Sequence, residues 1–215
     1  MDQKRAIMMI RLHQFLRLTE AEGPGRRAAL WVQGCPIHCP GCFNRQTWNP
    51  KAGYSRTVRS LFSEITAQSD LEGVTFTGGE PFAQAAPLAE LGRLCRQAGL
   101  SVLTYTGHKF ACVRKSKRRA WNALLNITDL LLAGPFVREM ADSSRPWVGS
   151  SNQEFVFLTG KYGHLARRLK GRSELEVWVG QDSIGLNGTA PESEVASIRR
   201  DLASLGLCLK KKRRT

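Results

Sequence analysis

Long apolar runs are missing from this sequence: near the amino terminus the only unbroken one is Ala6–Ile10, too short for a signal-peptide core and far too short to span a bilayer. A cytoplasmic protein is therefore expected. Acidic residues are scarce, 18 Asp and Glu against 32 Lys and Arg, for a net charge of +14. Five of those charges sit in Lys210–Arg214, leaving +9 on the rest. Such a surplus attracts nucleic acid or an acidic protein such as a flavodoxin-type electron donor. No aromatic residues interleave with the terminal run to stack on bases, so it reads as a solvated end and nucleic acid is not expected as a partner.

Internal repeats, low-complexity tracts and long linkers are absent as well. Apolar residues make up 42% of the 215 and are spread throughout, which excludes global disorder and collagen-like architectures. The expectation is a single domain over residues 1–215, with a core at about 10–160, a C-terminal extension at about 161–209 and a basic tail at 210–215.

Short runs rich in Val, Leu, Phe or Tyr recur at Ala28–Val32, Gly73–Thr77, Ser101–Tyr105, Leu130–Ala133, Phe155–Leu158 and Leu175–Val179, the type expected of buried parallel strands. Between them Val58, Leu61, Phe62 and Ile65 recur at helical spacing, as do Leu88, Leu91, Cys95 and Ala98 ahead of Gly99. This β-α-β-α alternation predicts a parallel sheet covered by helices, open or curled into a barrel, with ligands at the carboxyl ends of the strands. The loops Gly34–Pro50, Gly78–Phe82 and Thr106–His108 then matter most. Val195, Ile198, Leu202 and Leu205 share one face of a predicted terminal helix.

The six cysteines lack the paired spacing of a zinc site. In a reducing compartment they are not expected to form a disulfide framework. Cys95, Cys112 and Cys208 are scattered, whereas Cys35, Cys39 and Cys42 form Cys-x3-Cys-x2-Cys between Gly34 and Gly41. Redox or nucleophilic thiol chemistry needs no third cysteine. A cubane iron-sulfur cluster on three cysteines explains the deficit, because one iron stays open to a ligand. S-adenosylmethionine (SAM) is such a ligand, its sulfonium then lying where one electron can cleave it; a coincidental group of thiols is the alternative. The turn Gly78-Gly79-Glu80-Pro81 follows the strand Val74–Thr77, its glycines exposing backbone to a ligand and its carboxylate able to face an ammonium group.

With Glu22-Gly23-Pro24-Gly25-Arg26-Arg27, Trp31-Val32-Gln33-Gly34-Cys35, Cys39-Pro40-Gly41-Cys42-Phe43-Asn44-Arg45-Gln46-Thr47-Trp48, Gly78–Pro81, Tyr105-Thr106-Gly107, Asp129–Phe136 and Trp147–Gln153, the chain resembles the glycyl-radical-enzyme activating enzymes of the radical SAM superfamily. Within them it is most similar to the anaerobic ribonucleotide reductase activases, over about residues 10–157. The resemblance implies an α/β fold: an incomplete parallel (β/α) barrel of the radical SAM type, here with a C-terminal helical extension. It implies that Cys35, Cys39 and Cys42 ligate a [4Fe-4S] cluster, that Gly41 and Phe43 lie along the adenosyl part of SAM, and that Gly78, Gly79 and Glu80 bind its methionyl end. The branch tends to carry an acidic residue where this chain has Ala133.

The expected activity is reductive SAM cleavage followed by formation of a glycyl radical on a partner enzyme, such as an anaerobic ribonucleotide reductase, with electrons from a flavodoxin- or ferredoxin-type donor. The alternatives are a radical SAM maturase acting on a peptide or small molecule, and a non-catalytic iron-sulfur protein for electron transfer or nucleic-acid binding. No side-chain acid or base is assigned, since cofactor and cluster carry the chemistry. His108 reads as a solvated loop residue.

Overall fold

The computed structural model describes residues 7–167, 169, 175–179, 184–188 and 192–204. Chain order is β1 (Met9–Thr19), β2 (Arg27–Val32), β3 (Tyr54–Thr57), α1 (Val58–Thr66), β4 (Gly73–Gly78), α2 (Ala85–Gln97), β5 (Ser101–Thr106), α3 (Phe110–Arg114), α4 (Arg119–Ile127), β6 (Leu130–Ala133), β7 (Glu154–Phe157), β8 (Leu175–Val179), β9 (Ile184–Gly188) and α5 (Glu192–Ser204). Seven strands make one sheet in the order β3-β1-β2-β4-β5-β6-β7. Its centre, β2, β4, β5 and β6, is parallel, while β1 and β7 are antiparallel to their inner neighbours. The fold is mixed α/β with a parallel-rich sheet. The edges β3 and β7 do not pair with each other, so the sheet is open.

Period-two alternation divides the sheet into two faces. Ala28, Leu30, Val32, Val74, Phe76, Val102, Leu131 and Ala133 pack into the main core with Leu61 and Ile65 of α1, Leu88, Leu91 and Cys95 of α2 and Leu124 of α4. That face is sealed. The other face carries a smaller cluster of Leu103, Leu130, Leu132, Val148 and Tyr162. Every residue of β2 is buried, which is why it reads as a continuous apolar run with Arg27 at its start. That guanidinium is fully enclosed, yet donates to Thr75 Oγ1 (2.7 Å), Val74 O (2.8 Å), Tyr162 OH (2.9 Å), Pro24 O (3.1 Å) and Ser101 Oγ (3.1 Å). These bonds replace its lost hydration.

The helical periodicities at 58–65 and 88–98 correspond to α1 and α2. Thr57 Oγ1 caps α1 by accepting from Ser60 N (3.0 Å). α2 ends where Leu100 N donates to Cys95 O and Gly99 N to Arg96 O, both 3.0 Å.

Two readings need correction. Phe155–Leu158, expected to be parallel, is the antiparallel strand β7 (Leu130↔Phe157). A parallel return needs a crossover to the opposite end of the sheet, and residues 134–153 instead turn back through a single 3-10 turn, Arg138–Met140. Leu175–Val179 is not in the main sheet either: it pairs antiparallel with β9, so the extension contains a hairpin ahead of its helix. The long β1 carries no apolar run in the sequence, because Arg11, His13, Gln14 and Arg17 interrupt its apolar residues, the pattern of an antiparallel strand with one wetter side. The Lys210–Arg214 tail and Cys208 lie outside the described residues.

Candidate functional site

β2 ends at Val32, and Gln33 leads into the cysteine loop. Gln33 Nε2 donates to Gln46 O (3.0 Å) and Asn49 O (2.8 Å), drawing the far end of the loop back to the strand. Gly34 N donates to Thr47 O (2.7 Å) and Cys35 N to Trp48 O (3.2 Å). His38 occupies a left-handed corner (φ 53°) and stacks on Trp48 at 4.6 Å, so it is a structural residue of the loop.

The three sulfurs are half-buried in this loop. Burial pushes the Cys35 thiol up, while backbone N–H groups of His38 and Ile37 hydrogen-bond to it and pull it down. Burial also raises Cys39, opposed by the N–H of Phe136. Asn44 N donates to Cys42 Sγ at 3.4 Å. N–H donors directed at each sulfur are what a ligating thiolate requires, and they tune a cluster bound there. Among the described residues no three His, Cys, Asp or Glu side chains converge on a point fit for one metal ion. Each thiolate of a cubane takes a different iron, so sulfurs spaced around a shared space fit a cluster better than mononuclear zinc.

That space is a cavity of about 340 Å³ on the open face of the sheet, in the range of small-molecule sites. Cys35, Cys39, Cys42, Phe43, Gly78, Gly79 and Glu80 all line it. Gly41 does not; its α-carbon faces Phe136 and Arg138. Phe43 is 61% exposed and meets Phe136 edge-on at 5.3 Å, giving an apolar rim.

Gly79 has a role the sequence does not disclose. A Cβ there would lie 2.4 Å from Gly34 O and 2.9 Å from Val32 O. Gly79 N donates to Val32 O (2.8 Å) and Glu80 N to Gly34 O (2.9 Å). The glycine lets the Gly-Gly-Glu turn press directly on the start of the cysteine loop. Beside it, Gly78 takes φ +96°, and a Cβ would strike Trp31 Cα at 2.6 Å.

Glu80 is buried. Its carboxylate accepts from Phe82 N (2.8 Å), Thr106 Oγ1 (3.0 Å) and Gly107 N (2.9 Å), tying the end of β4 to the end of β5. Burial raises its pKa to about 7 despite those donors. An ionised carboxylate has about four acceptor directions, so capacity remains for a ligand cation.

Further residues, to which the sequence assigned no individual role, complete the cavity. Trp31, Thr77 and Tyr105 enter it at strand positions alternating with core residues, joined by Glu22, His13 and Gln153. Gln153 Oε1 accepts from Gly149 N (2.8 Å) and Ser150 N (3.1 Å), so the Gly149–Gln153 turn is self-capped and also forms cavity wall. His108 is not simply solvated: it packs on Trp121 at 4.8 Å, and burial and then Arg118 depress its pKa.

Glu22 is 9% exposed, and burial followed by the Glu176 carboxylate lifts its pKa from 4.5 to about 8. A folded-state pKa above the unfolded one stabilises the fold fully below about pH 4.5 and loses that stabilisation as pH rises through about 8. At about 1.4 kcal/mol per tenfold change in proton affinity, the displacement is on the order of 5 kcal/mol. Thermal melting of the wild type should therefore fall between about pH 5 and 8, and Glu22→Gln should flatten the decline. Parallel pH profiles for the two proteins would contradict this.

The sequence profile of the 4Fe-4S single cluster domain matches residues 21–156. The anaerobic ribonucleoside-triphosphate reductase-activating protein of Salmonella typhi is 30% identical over 152 residues, 67% of this chain and 96% of that one. The pyruvate formate-lyase-activating enzyme of Listeria monocytogenes is 31% identical over 129 residues, 57% of this chain and 51% of that one. Among solved structures, QueE from Escherichia coli superimposes with a TM-score of 0.41 at 21% identity, over 47% of this chain and 54% of that one. With three sulfurs set around one cavity and a matching profile over most of its length, the chain belongs to the 4Fe-4S single cluster domain family, alongside the reductase-activating proteins.

Proposed function

We propose that this protein is a radical SAM activating enzyme that forms a glycyl radical on a partner enzyme. The observation that carries the reading is the meeting in one cavity of three N–H-directed cysteine sulfurs and the Gly78-Gly79-Glu80 turn. Its relatives are named for activating another enzyme. When bound, a [4Fe-4S] cluster with one open iron supplies the electron that cleaves SAM to methionine and a 5′-deoxyadenosyl radical, which takes a hydrogen from glycine.

Cys35, Cys39 and Cys42 would hold the cluster. Gly78 and Gly79 expose backbone to the methionyl end of SAM, and Glu80 offers its remaining acceptor direction to the amino group. Phe43 and Phe136 form an apolar wall for the adenosyl part, with Gly41 placing Cys42 and Phe43 from behind. The open sheet is read as an incomplete (β/α) barrel of the radical SAM type, within a single domain. The setting is cytosolic; among the described residues no helix is long and apolar enough to cross a membrane. Lys109, Arg114, Lys115, Lys117, Arg118 and Arg119 are exposed just beyond the cavity-lining Thr106-Gly107, a surface suited to an acidic flavodoxin- or ferredoxin-type donor.

The test is chemical. Anaerobically reconstituted protein, reduced with dithionite and given SAM alone, should slowly release 5′-deoxyadenosine, read by chromatography. A fully loaded wild type that releases none would favour a non-catalytic iron-sulfur protein.

A further inference from the structure

The family profile ends at residue 156, yet the cavity does not. Leu186, Asn187 and Gly188 of β9 and Val195 of α5 line the same space as the cysteines. A polar clamp holds them there. Glu176 on β8 accepts from Thr19 Oγ1 and Glu20 N, both at 2.5 Å. Asn187 Nδ2 donates to Thr19 Oγ1 (2.8 Å) and Glu176 Oε2 (3.3 Å). Both amide hydrogens of Asn187 are thereby used, which leaves its carbonyl oxygen as an acceptor. Thr19 and Asn187 are 1% and 8% exposed, so the centre of the clamp is buried.

One face of the sheet is sealed by α1, α2 and α4, so among the described residues the approach to the sulfur-lined end is by the other face and the carboxyl ends of the strands. On that face the extension stands beside the path. We propose that the β8–β9 hairpin and α5 are the wall that selects the partner's glycine-bearing segment, with Val195 packing against it and Asn187 accepting one of its backbone N–H groups. This rests on the activating-enzyme reading and assigns to the extension the choice of partner. An extended peptide brings unpaired backbone N–H groups and, at its reactive glycine, an apolar methylene with no side chain. A neutral acceptor beside an aliphatic surface matches both.

The probe is a short dye-labelled synthetic peptide centred on the radical-site glycine of a glycyl-radical enzyme from the same organism, followed by fluorescence anisotropy with cluster-loaded protein. Val195→Trp fills the wall and should weaken binding about tenfold or more, and Asn187→Ala should weaken it less. Asp201→Ser, exposed on the same helix, should bind as the wild type does. Benzoylphenylalanine at position 195 should photo-crosslink to the peptide. If Val195→Trp melts far below the wild type, the crosslink and Asn187→Ala decide. Wild-type affinity in Asn187→Ala together with no crosslink, or no peptide binding by the wild type, would overturn the proposal. Absence of 5′-deoxyadenosine from the wild type would instead overturn the activating-enzyme reading, so the two failures are distinguishable.

Discussion

Alanine at any one of Cys35, Cys39 or Cys42 should abolish the iron-sulfur chromophore of reconstituted protein, and with it SAM cleavage. With three protein ligands for a cubane there is no spare thiolate. Neither of the other described thiols can substitute. Cys95 is fully buried in the main core, where burial pushes its thiol up to about 12, and such a cysteine is inert. Cys112 is exposed on α3, outside the cavity. Alanine at Cys95 and Cys112 together should leave iron and sulfide content at the wild-type level. Iron analysis and visible absorption check both halves, and full cluster content in any variant of the first three would end the ligand assignment.

Gly79→Ala should disable the protein more completely than a ligand-pocket substitution would. Read from sequence, the glycine pair leaves space for a ligand. In the structure the space beyond Gly79 is filled by the carbonyl oxygens of Gly34 and Val32, at 2.4 and 2.9 Å from a Cβ. Backbone on both sides cannot yield as a side chain can, so the methyl group must part β4 from the start of the cysteine loop. Overpacking of this kind costs about 1–3 kcal/mol. The displaced atoms belong to the residue before Cys35, so cluster content should fall together with melting temperature. Gly163→Ala, where a Cβ meets nothing within 4 Å, is the matched control. A Gly79→Ala protein with full cluster content and unchanged melting, lacking only SAM cleavage, would restore the ligand-space reading.

What was legible in the sequence is local. The cysteine triplet and the Gly78–Pro81 turn are short-range patterns, and α1 and α2 declare themselves by periodicity within one helix. Long-range partners were not legible. Gly79 is dictated by Gly34, and Glu80 by Thr106 and Gly107, each set joined only once the sheet has formed. β1 hides behind alternating basic residues, and β7 and β8 have the composition of parallel strands while pairing antiparallel. Composition registers burial, whereas direction is set by where the connecting chain turns. The contribution of β9 and α5 to the cavity lies beyond the matched family region, so no motif pointed to it.

The central claim is radical transfer to glycine. A glycine α-carbon radical is stabilised by its flanking amide nitrogen and carbonyl, so the deoxyadenosyl radical can remove that hydrogen favourably, and the product persists only inside a protein that shields it. The direct measurement is electron paramagnetic resonance of reduced, cluster-loaded protein mixed with SAM and each glycyl-radical enzyme of its own organism. A doublet that collapses to a singlet when the partner's glycine is deuterated at the α-carbon is the expected result. Continued 5′-deoxyadenosine release with every such partner remaining free of radical would contradict the claim.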